Sequence, residues 1–248
     1  MQISQPDFPT TEATDRQWRS LYCVSGAIFL LTTVLSFVVA WGARTLYSSG
    51  YPADPASYLQ LVSQHQALAN LTWSLWIVLD FLSLPVIFAM YLVLRRHNHT
   101  LAALAGLLCL FYAVYDFGVT ELNSLTLVSL SHSYAEATGE AARATLAAAA
   151  AYGYYALPLQ TVLSFAIGPL GYLLWCVPMA KSFFGRWWAI VGAIVSLIGL
   201  AGAVAPVVPG SYILGLCQFI CVRAIALWFV PLGVLLLRYG HRLGIKAR

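Results

Sequence analysis

Long apolar runs, separated by short polar or charged connections, divide this sequence. Six of them are long enough to cross a membrane, at about 21–43, 68–94, 100–130, 146–180, 187–208 and 211–237. A helix needs ~20 apolar residues to span the ~30 Å hydrocarbon core of a bilayer. Only helices and closed barrels satisfy their backbone hydrogen bonds in lipid, and a barrel requires short alternating strands. The sequence therefore predicts an all-α, polytopic membrane protein, built as a six-helix transmembrane bundle.

Composition supports this class, because charged residues make up 9% of the chain against ~25% in an average soluble domain. The spans occupy residues 21–237, which leaves a polar N-terminal segment, 1–20, and a basic tail, 238–248. Proline and glycine break the connection at 44–67, and the stretch SYLQLVSQHQ within it predicts a short interfacial helix. We expect Pro158 to divide the fourth run into an outer piece and the span proper.

The distribution of basic residues predicts the orientation. With six spans, ten Lys and Arg residues fall on the side of the two termini and two, Arg44 and Arg143, on the other. Cytoplasmic segments carry the excess of Lys and Arg, so both termini are expected in the cytoplasm. Topology accounts for the net charge of +4, and no basic and aromatic interleaving suggests a nucleic-acid partner.

Four charged residues lie inside the apolar runs: Asp80, Asp116, Glu121 and Arg223. A charge at the bilayer centre costs ~2.5–3.5 kcal/mol on insertion scales, so such residues normally face the bundle interior, a partner or water. Counting residues along each run places Asp80, Asp116 and Arg223 within about one helical turn of a common level. Glu121, five residues after Asp116, is expected on another face and nearer the outer interface.

Helical spacing adds neighbours to these charges, because residues three or four apart share a face. Such stripes run along spans two, three, four and six, and predict a cavity in the outer half of the bundle. Its expected substrate-binding residues are Trp73, Trp76, Tyr112, Asn123, Gln160 and Phe219.

Two readings of the charges remain open. Asp80 and Arg223 can form an ion pair that only holds two helices together. However, one arginine cannot neutralise three acids, and the surplus acid in a low-dielectric site is favoured in its protonated form, which can donate a proton. On this reading Asp116, Asp80 and Arg223 are the catalytic residues: Asp116 donates, Asp80 positions or accepts, and Arg223 sets their charge states.

Metal and cofactor chemistry has no support in the sequence. No histidine shares a helix face with the acids, and Cys217 and Cys221, although on one face, have no nearby histidine. The only lysines, Lys181 and Lys246, lie outside the spans, which excludes a retinal Schiff base. No P-loop, dinucleotide-binding or hydrolase motif occurs in a plausible context. We expect no metal and no cofactor.

Three sequence segments resemble a known family. MYLVLRRHNHTLAALAGLL follows the second span, LGYLLW lies in the fourth, and SFFGRWWAIVGAI enters the fifth. Over about residues 20–237 the chain resembles the bacterial six-helix family labelled domain of unknown function 4386. The resemblance implies six spans in a bacterial inner membrane, and an acid at the level of Asp80 is in keeping with it. It implies no activity.

These observations favour an intramembrane enzyme that uses acid–base chemistry on a lipophilic small molecule or lipid, such as cyclisation or isomerisation of an isoprenoid-like molecule. The alternatives are a proton-coupled small-molecule transporter or receptor, and a structural subunit of a membrane complex. The small-residue run LIGLAGAVA in the fifth span is compatible with a homo-oligomer and equally with packing inside one subunit.

Overall fold

The computed structural model describes residues 17–47, 52–208 and 212–245. Its long helices are named here in chain order, with a short helix, α2, between the first two spans. They are α1 (Arg19–Leu46), α2 (Pro55–Gln64), α3 (Gln66–Leu94), α4 (His99–Tyr115), α5 (Leu122–Glu136), α6 (Glu140–Met179), α7 (Arg186–Gly202) and α8 (Tyr212–Ile245). A π-helical segment, Asp116–Glu121, joins α4 to α5, so that these three pieces form one span. The predicted all-helical architecture with six candidate spans is confirmed.

The spans form a closed ring. Around it, α1 packs against α8, α8 against α7, α7 against α6, α6 against α4, α4 against α3, and α3 again against α1. The two described chain ends lie at one end of the bundle, called here the proximal end. The opposite end, which carries α2 and the α5–α6 connection, is called the distal end. A ring of six helices leaves space along its axis for a central site.

The fourth span does not divide at Pro158, so that prediction is wrong. Helix α6 continues from Glu140 to Met179 through Pro158, Pro169 and Pro178. Proline removes a single backbone hydrogen bond, whereas a break in the helix would leave several polar groups unpaired in lipid. The cheaper solution in a membrane is therefore an uninterrupted helix.

Two apolar cores hold the ring together, one at each end. The proximal core joins α1, α3, α4, α6, α7 and α8 and includes Tyr22, Phe29, Met90, Cys109, Trp175 and Leu232. The distal core joins α2, α5 and α6 with the adjoining ends of α1 and α3, and includes Tyr58, Leu59, Val62, Leu127, Val128 and Tyr154. The middle of the bundle lies between these two cores.

Helix α2 is the short helix expected in the first connection. The Asp54 side chain caps it by accepting hydrogen bonds from the Ser57 backbone N–H and hydroxyl, at 2.9 and 2.8 Å, and Pro55 occupies its first turn. These bonds, the backbone one first, hold the pKa of the exposed Asp54 carboxyl below its ordinary value. Tyr58 is fully buried against α6 through the ring of Tyr154, which fixes α2 over the distal end.

The small-residue run in α7 is used inside the subunit. A Cβ at Gly199 would meet the Cys221 Sγ and the Pro169 ring, and one at Gly202 would meet the backbone of Gln218. These glycines therefore let α7 approach α6 and α8 closely. Packing within one chain accounts for the run.

The two ends of the chain extend the predicted pattern. Helix α8 continues to Ile245 and includes most of the segment expected as a basic tail. Residues 1–16, the greater part of the predicted N-terminal segment, lie outside the described residues.

Candidate functional site

A cavity of about 400 Å³ occupies the middle of the ring, between the two cores. It is lined by residues of α1, α3, α4, the π segment, α5, α6 and α8, while α7 contributes none of the described lining residues. Trp73 and Leu157 connect its wall to the distal core, and Phe29 and Trp175 connect it to the proximal core. Its volume is within the ~300–1,000 Å³ typical of small-molecule sites.

Three acidic side chains, Asp80, Asp116 and Glu121, line this cavity, and no Lys, Arg or His does so in the part of the chain described. Their exposed fractions are 6%, 6% and 3%. Asp116 lies within electrostatic range of both other acids. Three negative charges without a cation are very costly in a low-dielectric site, so the cluster is expected to retain protons.

The π segment explains why Glu121 belongs to the cluster. In a regular α-helix, residues five apart point about 140° away from each other. In a π turn the backbone bonds from residue i to i+5, so that such residues lie one above the other. Asp116 and Glu121, the first and last residues of the segment, thus both face the cavity. The expectation that Glu121 lies on another face, at the periphery, is wrong for this reason.

The Asp116 carboxyl ends a short chain of hydroxyl groups. Ser164 on α6 donates to Asp116 Oδ1 at 2.7 Å. Because the single Ser164 proton is used in that bond, the Thr120 hydroxyl, 3.3 Å away, donates to the Ser164 oxygen. Gly168 lets the Tyr112 ring approach α6 beside these groups, because a Cβ there would lie 3.2 Å from the ring. Asp116 is therefore an acceptor with a matched donor.

Asp80 and Glu121 have no such donors. Asp80 Oδ2 and Glu121 Oε2 are buried and have no hydrogen-bond partner among the described residues. The indole N–H groups of Trp73 and Trp175, which belong to the same cavity wall, also have none. Buried polar atoms are normally paired, and unpaired ones point to a functional role or to an unseen partner. Four such atoms around one cavity make it the candidate binding site.

The cavity brings together part of the predicted site. Asp80 and Asp116 line it, and so do three of the expected substrate-binding residues: Trp73, Trp76 and Tyr112. The other four predicted residues, Asn123, Gln160, Phe219 and Arg223, do not line it.

Arg223 lies outside the cavity and pairs with none of the acids. Its Nη1 donates to the Phe219 carbonyl oxygen at 3.0 Å, and its guanidinium lies 3.4 Å from the centre of the Phe219 ring. The predicted stripe of α8 thus faces outward, since Phe219 is 43% exposed, while Gln218 and Cys221 face the cavity. The ion pair with Asp80, one of the two readings of the charges, is not formed, because α8 directs Arg223 away from the cavity.

Asn123 and Gln160 tie α5 to α6 beside the cavity. Asn123 Nδ2 donates to the Gly153 carbonyl oxygen and to Gln160 Oε1, both at 3.0 Å. Gly153 permits the approach, since a Cβ there would collide with the Asn123 amide. In the structure this pair bridges two helices.

Among the described residues, no three His, Cys, Asp or Glu side chains are grouped closely enough to hold a metal ion. The comparison with protein families is decisive for identity. A family model described as a domain of unknown function, DUF4386, matches residues 24–240.

The chain belongs to the DUF4386 family. The matched region contains all six spans almost completely and every residue of the cavity wall. Searches of curated proteins and of solved structures returned no match. The cavity is therefore the main guide to what this DUF4386 protein binds or transforms.

The arrangement has three chemical capacities. It can hold an apolar body against aromatic side chains, since Trp76, Tyr112 and Tyr172 line the wall. It can exchange protons among three neighbouring carboxyls. It can also stabilise a positive charge through acids and ring faces.

Proposed function

We propose that this DUF4386 protein is an intramembrane enzyme that binds a lipophilic molecule in the central cavity and rearranges it by acid–base chemistry. The observation that carries the proposal is the cluster of three buried carboxyls in an aromatic cavity in the middle of the bundle, with no Lys, Arg or His among the described residues of its wall. Such a cluster is costly for folding, which favours a functional reason for it.

The hydrogen bonds favour distinct roles for the acids. A hydroxyl donor stabilises a negative charge, so the Ser164 hydroxyl, itself supported by Thr120, suits Asp116 to the role of proton acceptor. Glu121 and Asp80 each retain an unpartnered oxygen, which suits the protonated state and makes them the proton donors. This assignment reverses the roles that the sequence favoured for Asp116 and Asp80.

The reaction class is a net isomerisation, which includes cyclisation. The donor carboxyl gives a proton to a carbon–carbon double bond, whose π electrons form the new C–H bond and leave a cationic carbon. A second double bond of the same molecule can attack that carbon. Asp116 then removes a proton from the neighbouring carbon, and the electrons of the broken C–H bond form the product alkene. Proton transfer from Asp116 back to the donor restores the starting state.

Comparison of lipid extracts tests this function. The purified protein in lipid nanodiscs is incubated with a bacterial extract of neutral polyisoprenoids, and the products are separated by chromatography and mass spectrometry. We expect a product of unchanged mass and new retention time, which Asp116→Asn and Glu121→Gln both fail to form. Asp54→Asn is the matched control, because Asp54 is an exposed helix cap. Equal turnover by Asp116→Asn would contradict the proposal.

A second candidate, a proton-coupled transporter, is favoured by one observation. The Thr120 and Ser164 hydroxyls form a continuous chain to Asp116, which can relay protons. Proteoliposomes that contain a trapped pH dye distinguish this function: solute-dependent proton uptake, lost in Ser164→Ala, would favour transport over catalysis.

The third candidate, a structural subunit, loses its main argument, because no ion pair joins the buried acids to another helix in the described part of the chain.

The cellular location and the membrane orientation belong to the same proposal. We place the protein in a bacterial inner membrane with both termini in the cytoplasm, supported by the excess of Lys and Arg at the proximal end.

A further inference from the structure

The charge of the cavity wall constrains what can occupy it. The three acids of the wall can carry only negative charge. Arg223, which the sequence offered as a positive partner for them, lies outside the cavity and contacts Phe219. An anionic occupant would add a fourth charge of the same sign. A neutral occupant would leave the acids to be neutralised by protons alone.

The unpartnered atoms point more specifically to a donor. Asp80 is 94% buried and Glu121 is 97% buried, as their exposed fractions of 6% and 3% show. Each keeps one carboxyl oxygen without a hydrogen-bond partner among the described residues, although the neighbouring Asp116 accepts from the Ser164 hydroxyl. A buried acceptor without a donor is unfavourable, because it has lost its hydrogen bonds to water and gained none in return. A protonated amine supplies N–H donors and a positive charge in one group.

The rest of the wall suits the body of such a molecule. Trp73, Trp76, Tyr112 and Tyr172 line the same cavity as the acids, and aromatic faces attract ammonium groups. The remaining wall combines aliphatic and aromatic side chains with hydroxyl groups, and the volume of about 400 Å³ accepts a compact hydrocarbon group.

We propose that the central cavity selects lipophilic cations, and that a protonated amine on a compact hydrocarbon body binds there with its nitrogen between Asp80 and Glu121. This inference concerns the same cavity as the proposed function and rests on it in that respect alone. If the protein is the proposed enzyme, its substrate carries a positive charge in the cavity, either as an amine or in the cationic intermediate.

Two probes of equal shape test the inference. Adamantylamine and adamantanol share one hydrocarbon cage and differ in an ammonium against a hydroxyl group. Binding to the purified protein in nanodiscs is followed by the fluorescence of its tryptophans, several of which line the cavity. We expect the amine to bind at least about tenfold more tightly than the alcohol, and Asp80→Asn together with Glu121→Gln to abolish that preference.

Two control variants separate the cavity from the rest of the molecule. Arg223→Gln and Asp54→Asn lie outside the cavity and should keep the preference. Circular dichroism and gel filtration show whether each variant is folded, and the amine-to-alcohol ratio of the unmodified protein tests the inference without any variant. Equal binding of the two probes, or binding of neither, would overturn charge selection. Turnover of a neutral polyisoprenoid is measured separately and can succeed when charge selection fails.

Discussion

Glu121 shows how a single side chain can depend on backbone geometry. It is 97% buried, as its exposed fraction of 3% shows, yet its position relative to Asp116 would place it away from the cavity in a regular α-helix. Its burial therefore depends on the π segment, and so does the third acid of the cluster. Asn123, two residues later, has the opposite role, because both bonds of its amide join α5 to α6.

Asn123→Ala is predicted to weaken the fold and leave binding intact. Loss of both interhelical bonds should lower the free energy of unfolding by about 1 kcal/mol, the usual size of such bonds in membranes. Unfolding in a graded detergent series measures it. Thr126→Ala serves as the control, since that exposed hydroxyl bonds only within its own helix. Unchanged stability combined with lost amine binding would show that Asn123 acts in the cavity.

The π segment is the element that distinguishes this bundle from a plain six-helix ring. A π turn contains one more residue than the α turn it replaces. Gly118 lies in its middle, and a Cβ there would meet no atom within 4 Å. A residue at this place can thus be removed without loss of a packing contact.

Deletion of Gly118 is predicted to convert the π turn into an α turn and to keep the fold. Asp116 and Glu121 would then be four residues apart, which still places both on one helix face. Deletion of Val114, in regular α4, would instead rotate the preceding helix by about 100° and disrupt its packing. Thermal unfolding of both variants compares them. Equal loss of melting temperature in the two deletions would contradict the role given to the segment.

The apolar runs were sufficient to predict the spans, because the length needed to cross a membrane leaves a clear signal in composition. The π turn left none, since one extra residue changes the direction of side chains without changing hydropathy. The position of Arg223 could be predicted only in part, for a related reason. Counting residues gives its depth along α8, but α8 is apolar on several faces, so the sequence does not show which face points into the cavity. Pro158 does not end the helix, because an interrupted helix in lipid leaves several backbone groups without hydrogen bonds, whereas proline removes only one such bond.

At the scale of the whole molecule, the apolar cores and the buried acids occupy different levels of the ring. The proximal and distal cores contain most of the fully buried apolar side chains, while the acids lie in the cavity between them. Helix α2 closes the distal side by packing on α5 and α6. A substrate that partitions into the bilayer would therefore meet the acids in the middle of the protein and away from bulk water.

The orientation of the ring is predicted by its basic residues. A fluorescent protein fused after Arg248 should fold and fluoresce, because it stays in the cytoplasm. Alkaline phosphatase inserted at Thr138, in the distal α5–α6 connection, should be active, because it needs the outer compartment. The reverse pattern of activities would place the termini outside and contradict the positive-inside reading.

The most direct test of the central claim is carbodiimide labelling in native membranes. Dicyclohexylcarbodiimide is lipophilic and reacts with protonated carboxyls, and mass spectrometry of peptides locates its adducts. We predict adducts on Glu121 or Asp80, reduced by adamantylamine, and none on the exposed Glu136 and Glu140 at the same dose. Absence of adducts from all three cavity acids would contradict a protonated, ligand-accessible cluster in the middle of the bundle.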